Sequence, residues 1–185
     1  MHEEANIVIS KIVGPITNYH DLLLKVTEDL TDEQFSQQPS PFAPPIGWHL
    51  WHITRWADRI HTKLDENNTE LWTQNKLVTA WGLQPARLGR LETGIEMAIA
   101  DAVTVAGVGS NAHLNYSRQV FDSFHAAMSA FDDDELLETH LSVFGDQKMT
   151  LIDTLIFHLR HTGRHLGMIE ALRGALFAMS GSATN

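Results

Sequence analysis

The sequence predicts an all-α protein built as a four-helix bundle, and three observations carry that expectation. Four long stretches place apolar residues at helical spacing, no segment shows a convincing strand-like alternation, and a glycine- and proline-punctuated connection separates the second stretch from the third. At 185 residues, the chain is long enough for one compact domain with its own core, and residues 1–185 read as a single domain.

The first helix is expected from about Ile7 to Leu30, with Ile9, Ile12, Val13, Ile16, Leu22, Leu23, Val26 and Leu30 on its apolar positions; Gly14-Pro15 either begins or bends its regular part. Thr31-Asp32-Glu33-Gln34 offers a capping signal for a short turn, and Pro39, Pro41, Pro44 and Pro45 stop the helix from continuing. Ile46 to Leu64 reads as the second helix, its stripe supplied by Ile46, Ile53, Trp56 and Ile60. From residue 67 to about residue 110 the pattern is irregular, interrupted by Gly82, Pro85, Gly89, Gly94, Gly107 and Gly109, with a helical turn or more expected around Glu96 to Val105. A short link would make neighbouring helices antiparallel. A crossover this long can return the chain to the opposite end, so the second and third helices are expected to run parallel.

Asn111 to Ala130 is the third helix, with Leu114, Val120, Phe121, Phe124, Met128 and Phe131 on or near one face. Asp132-Asp133-Asp134-Glu135 lacks the glycine and ligand spacing of a calcium loop and is expected to start a helix in solvent. The fourth helix runs from about Thr150 to Met179; Gly163 and Gly167 weaken it locally and permit close packing, and the tail SGSATN is expected to fray.

Composition narrows the chemistry. Lys plus Arg number 13 against 23 Asp plus Glu, and a formal charge of −10 repels a phosphate backbone, which disfavours nucleic acid as a partner. No apolar run reaches the length of a membrane span and Met1-His2-Glu3-Glu4 lacks the features of a secretory signal, so no membrane partner and a cytoplasmic location are expected. Cysteine is absent, leaving imidazole, carboxylate and water as the only ligands for any metal.

The histidines number 11, and they cluster: His49, His52 and His61 share one predicted helix, and His158, His161 and His165 share another. Positions four apart lie on one helix face, so His161 and His165 can chelate a single ion. A third ligand must come from a facing helix; His52 is the choice, amid Trp48, Leu50, Trp51 and Ile53, with His49 one turn earlier as its competitor. Three protein ligands leave an open coordination position, at which water or a substrate thiol can be activated. Imidazole-rich coordination suits zinc, nickel or iron. Thr162 stands where the HExxH metalloproteases carry glutamate, which excludes that protease class.

Smaller expectations attach to other residues. His158 reads as a partly exposed structural histidine, His113 and Tyr116 as helix packing, and the tryptophans as core rather than a substrate box. Arg164 and Glu170 receive no role, either as a supporting pair or as a substrate contact.

The segments GWHLWHITRWADR and HLRHTGRHLGMIEALRG, joined by WGLQPARLGRLETGIEM, resemble the DinB/YfiT-like metalloprotein superfamily over most of the chain. The resemblance implies an up-down-down-up bundle, often dimeric, with a histidine of the second helix and the HxxxH pair of the fourth binding zinc, nickel or iron. These residues correspond here to His52, His161 and His165, while the additional His49 and His158 leave the ligand set open. Some relatives are S-transferases or isomerases that use low-molecular-weight thiols, and others are hydrolases. The leading functional expectation is therefore metal-dependent thiol transfer on a small-molecule substrate by a homodimer. Metal-dependent hydrolysis and a non-catalytic, stress-associated metal-binding module are the alternatives.

Overall fold

The computed structural model describes residues 7–64 and 68–181. The chain is mainly helical throughout. Helix α1 (Ile7–Lys25) leads through α2 (Asp32–Ser36) into α3 (Ile46–Thr62). The connection carries α4 (Leu71–Gln74), α5 (Leu77–Ala80), a 3₁₀ turn (Pro85–Arg87) and α6 (Ile99–Ala106), after which come α7 (Ser110–Met128) and α8 (Asp133–Glu138). Strands β1 (His140–Leu141) and β2 (Met149–Thr150) precede α9 (Leu151–Phe177).

The four long helices fall where periodicity predicts them, and their ends have local causes. Pro15 sits inside α1 without ending it, on a solvent-exposed position where the carbonyl it leaves unbonded can meet water. Thr31 caps α2 in a reciprocal capping box with Gln34. The acidic run does start a helix, with Asp132 and Glu135 forming a second capping box, but it also reaches into the fold. Asp133 accepts the backbone N–H groups of Val8 and Ile9 at 3.0 and 2.8 Å, satisfying free donors at the start of α1. One departure from the sequence reading is the antiparallel β1–β2 pair, in which His140 faces Thr150; two residues per strand are too few to show any alternation. The sequence SGSATN lies largely outside the described residues.

Each long helix packs on two others: α1 on α7 and α9, and α3 on α7 and α9. The apolar interior contains Ile16, Leu23, Leu50, Phe121, Phe124 and Leu155, all buried. Gly163 of α9 lies so close to Tyr19 that a Cβ there would stand 2.8 Å from the ring, whereas Gly167 faces open space and contributes no close packing. Gly47 of α3 is tighter still, since a Cβ would come within 2.3 Å of the buried Phe35 ring. At the far end of α9, Arg173 donates to Asp29 Oδ1 at 2.6 Å and to the carbonyl of Val26 at 2.7 Å, fastening the end of α1.

A chain of three histidines crosses the core between α1, α7 and α9. His20 Nδ1 lies 3.0 Å from His125 Nε2 and His20 Nε2 lies 3.0 Å from His158 Nε2, while the His20 ring stacks on Phe121 at 3.9 Å. Sequence reading expects His158 to be a partly exposed residue. It is instead fully enclosed, because its position on α9 faces α1 rather than solvent. Burial, reinforced by the neighbouring histidines, holds His20 well below its ordinary pKa and lowers His158 to about 3.

Two outcomes follow from this packing. Gly47→Ala is expected to destabilise by about 1–3 kcal/mol through overpacking, and Gly167→Ala to stabilise by about 0.5–1 kcal/mol through helix propensity, both read from urea unfolding. Acid is expected to weaken the metal-free protein. The folded pKa of His158 lies below the roughly 6.5 of an unfolded histidine, so the unfolded chain takes up the proton first as pH falls. The contribution is complete above about pH 6.5 and is lost toward the folded value. The urea midpoint should therefore drop between pH 7.5 and 5.0, and His158→Gln should flatten that dependence; equal midpoints at the two pH values would contradict it.

Candidate metal centre

His52 on α3 and His161 and His165 on α9 meet across the seam between the two helices, each offering a ring nitrogen within 4.8 Å of the others. The i,i+4 spacing puts His161 and His165 on one face of α9, where their ring centroids stand 4.7 Å apart. His52 Nε2 approaches His161 Nε2 to 3.1 Å. His52 and His165 are buried and His161 is half-buried. The pair expected from spacing and its partner from the facing helix are thus brought together.

The tautomer of His52 is fixed by the crossover. The carbonyl of Thr93 can only accept, so His52 Nδ1 carries the hydrogen and donates it, and Nε2 keeps its lone pair toward His161. Trp48 stacks on the other side of the ring at 4.7 Å, with its own Nε1 donating to Met97 Sδ at 3.2 Å. Trp51 and Trp56 are core, as expected, and Trp56 together with the half-buried Trp48 flanks His52.

Thr93 reaches His52 because the loop before it is anchored to α3. Arg55 Nε donates to the carbonyl of Glu92 at 2.9 Å, and Trp72 Nε1 to the Glu92 carboxylate at 2.7 Å. The backbone there takes φ values of 60° at Leu91, 51° at Glu92 and 91° at Gly94, the first two costly for residues with side chains. A Cβ on Gly94 would also stand 2.9 Å from the Trp48 ring. None of these backbone positions has a side-chain signature in the sequence beyond the glycines.

The remaining histidines sort by position. His49 does not join the mutually close set; its Nδ1 lies 2.9 Å from His165 Nδ1, where it orients that ring. His158 faces away into the His20 chain, and His61 bonds the carbonyl of Ala57. His113 and Tyr116 are packing residues as expected: His113 stacks on Trp81 at 4.7 Å, and the Tyr116 hydroxyl donates to Asp58 at 2.7 Å.

Burial lowers the pKa of His49 to about 4 and, helped by the nearby His161, that of His52 to about 3. Burial and then the charge of Arg164 bring His161 to about 4; His165 is depressed strongly by burial and by His52. All four imidazoles are therefore neutral at pH 7, the form that coordinates a metal. Their arrangement fits a divalent ion. Tetrahedral bonds of about 2.0–2.1 Å place ligand nitrogens roughly 3.3 Å apart, close to the separation of the His52 and His161 nitrogens. Phe157, Arg160, His161 and Arg164 line a recess of about 70 Å³, so the His161 edge of the site borders solvent.

Two solved structures share the fold along almost the whole chain. A conserved protein from Enterococcus faecalis superposes with a TM-score of 0.77 at 13% identity, covering 94% of this chain and 99% of that one. A DinB-like protein from Bacillus cereus gives a TM-score of 0.57 at 19% identity, with 89% of each chain covered. No curated protein sequence matches the chain. The sequence profile of the DinB superfamily matches residues 17–169, a span that includes His52, the whole crossover, His161 and His165. The chain belongs to the DinB superfamily.

Proposed function

We propose that the protein is a metal-dependent enzyme in which His52, His161 and His165 hold zinc, nickel or iron and a small-molecule thiol is the substrate. The observation that carries this reading is the convergence of three neutral imidazoles, two buried and His161 half-buried beside a recess open to solvent. An ion bound there supplies positive charge that favours the deprotonated form of a substrate thiol.

The chain's own residues do the rest. Thr93 holds His52 in the tautomer that presents Nε2, His49 steadies His165, and Trp48 and Trp56 exclude water from the inner wall. A thiol of ordinary pKa near 8.5 is the more readily ionised donor, and hydrolysis through a bound water, whose pKa such an ion also lowers to about 7, is the alternative reaction. Thr162, in the place of the protease glutamate, turns inward and donates to the carbonyl of His158 at 2.8 Å. A second reading, a metal-binding module without turnover, is favoured by the small size of the recess.

The same proposal places the centre in an up-down-down-up bundle. Its support is the order of contacts: His49 meets His165 and His52 meets His161, so α3 and α9 are antiparallel, while Tyr19 meets Gly163 and Asp29 meets Arg173, so α1 and α9 are parallel. Thr54 bonds Ser117 and Gly47 and His113 both touch Phe35, which makes α3 and α7 parallel. A cytoplasmic homodimer is the proposed working unit; among the described residues no helix is long and apolar enough to cross a membrane.

Metal content by mass spectrometry is the first check. The wild type is expected to hold one ion per chain. His52→Ala, His161→Ala and His165→Ala should each lose it, His158→Ala should retain it, and His49→Ala should bind about 10–100-fold more weakly. Stoichiometric metal in all three ligand variants would refute the site. Turnover of an electrophile with a panel of small thiols, present in the metal-loaded wild type and absent in those variants, separates the enzyme from the module.

A further inference from the structure

Arg160 and Arg164 stand one turn apart on the outer face of α9, on either side of His161 in sequence, and both line the recess beside it. Two like charges at this spacing repel each other and weaken a helix slightly. Of the six other arginines, all but Arg90 are neutralised by a carboxylate. Arg55, Arg59, Arg87, Arg118 and Arg173 each pair with a carboxylate at 3.4 Å or less. Arg160 and Arg164 have no such partner among the described residues, although acidic side chains outnumber basic ones by 23 to 13. Both guanidinium groups are exposed and share this recess with the His161 ring.

The recess also has an aromatic member. Phe157 lies 5.7 Å from the His161 ring and 4.9 Å from Phe144, which in turn lies 4.9 Å from Trp56. The recess beside His161 thus combines two guanidinium groups without a carboxylate partner among the described residues with one aromatic ring.

We infer that the substrate is an anion whose carboxylate is held by Arg160 and Arg164 while its donor atom reaches the centre of His52, His161 and His165. Guanidinium groups match carboxylate oxygens geometrically as well as by charge, and a rim charge of this kind selects among ligands that the metal alone would accept equally. The inference rests on the metal-centred reading above and adds the class of ligand. Arg160 and Arg164 are specificity residues and leave the ion itself to the histidines.

Full-length protein loaded with Co²⁺ gives a visible spectrum that reports ligand entry. Two matched pairs of probes are titrated: 3-mercaptopropionate against its neutral amide, and imidazole-4-acetate against 4-methylimidazole. The wild type is expected to bind the anionic member of each pair at least tenfold more tightly, with the preference shrinking as salt rises. In R160Q/R164Q, with cobalt content and circular dichroism unchanged, it should fall below twofold, and R160K/R164K should keep part of it. Equal binding within both pairs, or a preference that survives R160Q/R164Q, overturns the inference. Anion preference in the imidazole pair with no thiol binding sinks the thiol reading and leaves this inference standing. If no probe enters, both fail.

Discussion

An imidazole buried without a carboxylate partner must be neutral, and a neutral imidazole has one lone pair to give and one hydrogen to place. The seam between α3 and α9 buries His49, His52 and His165 under this constraint, with His161 at its edge. A ring is held toward a metal when its other nitrogen is bonded elsewhere, as in two of the three rings, His161 Nδ1 having no hydrogen-bond partner among the described residues. For His52 the occupant is the carbonyl of Thr93, and for His165 it is His49. The centre therefore depends less on having histidines close together than on what stands behind them.

What stands behind His52 is a network that begins on the same helix. Asp58, fully buried, accepts from the backbone N–H groups of Leu71 and Trp72, each at 2.9 Å, and from the Tyr116 hydroxyl. Arg55 joins Asp58 at 3.2 Å and Glu70 at 2.6 Å, and reaches the Glu92 carbonyl one residue before Thr93. A buried ion pair of this kind adds little net stability, but breaking one half costs about 3–5 kcal/mol. It therefore pins the crossover in one arrangement. The left-handed backbone at Leu91 and Glu92 is tolerated because these bonds over-determine it, and the result is a carbonyl delivered to one ring nitrogen.

This explains what was legible in the sequence. The four long helices, the crossover and the α9 pair could be read because periodicity and i,i+4 spacing are properties of side-chain order. His52 was legible from its helix and from the resemblance, with His49 left as a competitor because both lie on α3; what separates their roles is the Thr93 carbonyl behind His52 and the bond of His49 to His165. A backbone carbonyl has no residue type to betray it. The linker WGLQPARLGRLETGIEM could be matched as a pattern, and its physical content is the turn through Gly89 and Gly94 that carries Thr93 to the site. His20 and His125 left no signal at all, being 105 residues apart and joined only by the packing of α1 on α7.

The two histidine groups show why clustering alone does not define a metal centre. Both draw on α9, and both are neutral for the same reason, burial among apolar side chains. In the first group three rings point inward to one volume, and their remaining nitrogens are supported from outside where a support exists. In the second, His20 uses opposite edges of its ring for His125 and His158, so the nitrogens form a line rather than a cage. A line of imidazoles shares hydrogens between neighbouring rings and leaves His158 Nδ1 without a hydrogen-bond partner among the described residues; only a cage offers several lone pairs to one point. The difference is made by which face of α9 each histidine occupies: His161 and His165 turn toward α3, where they meet His52 and His49, and His158 turns toward α1, where it meets His20.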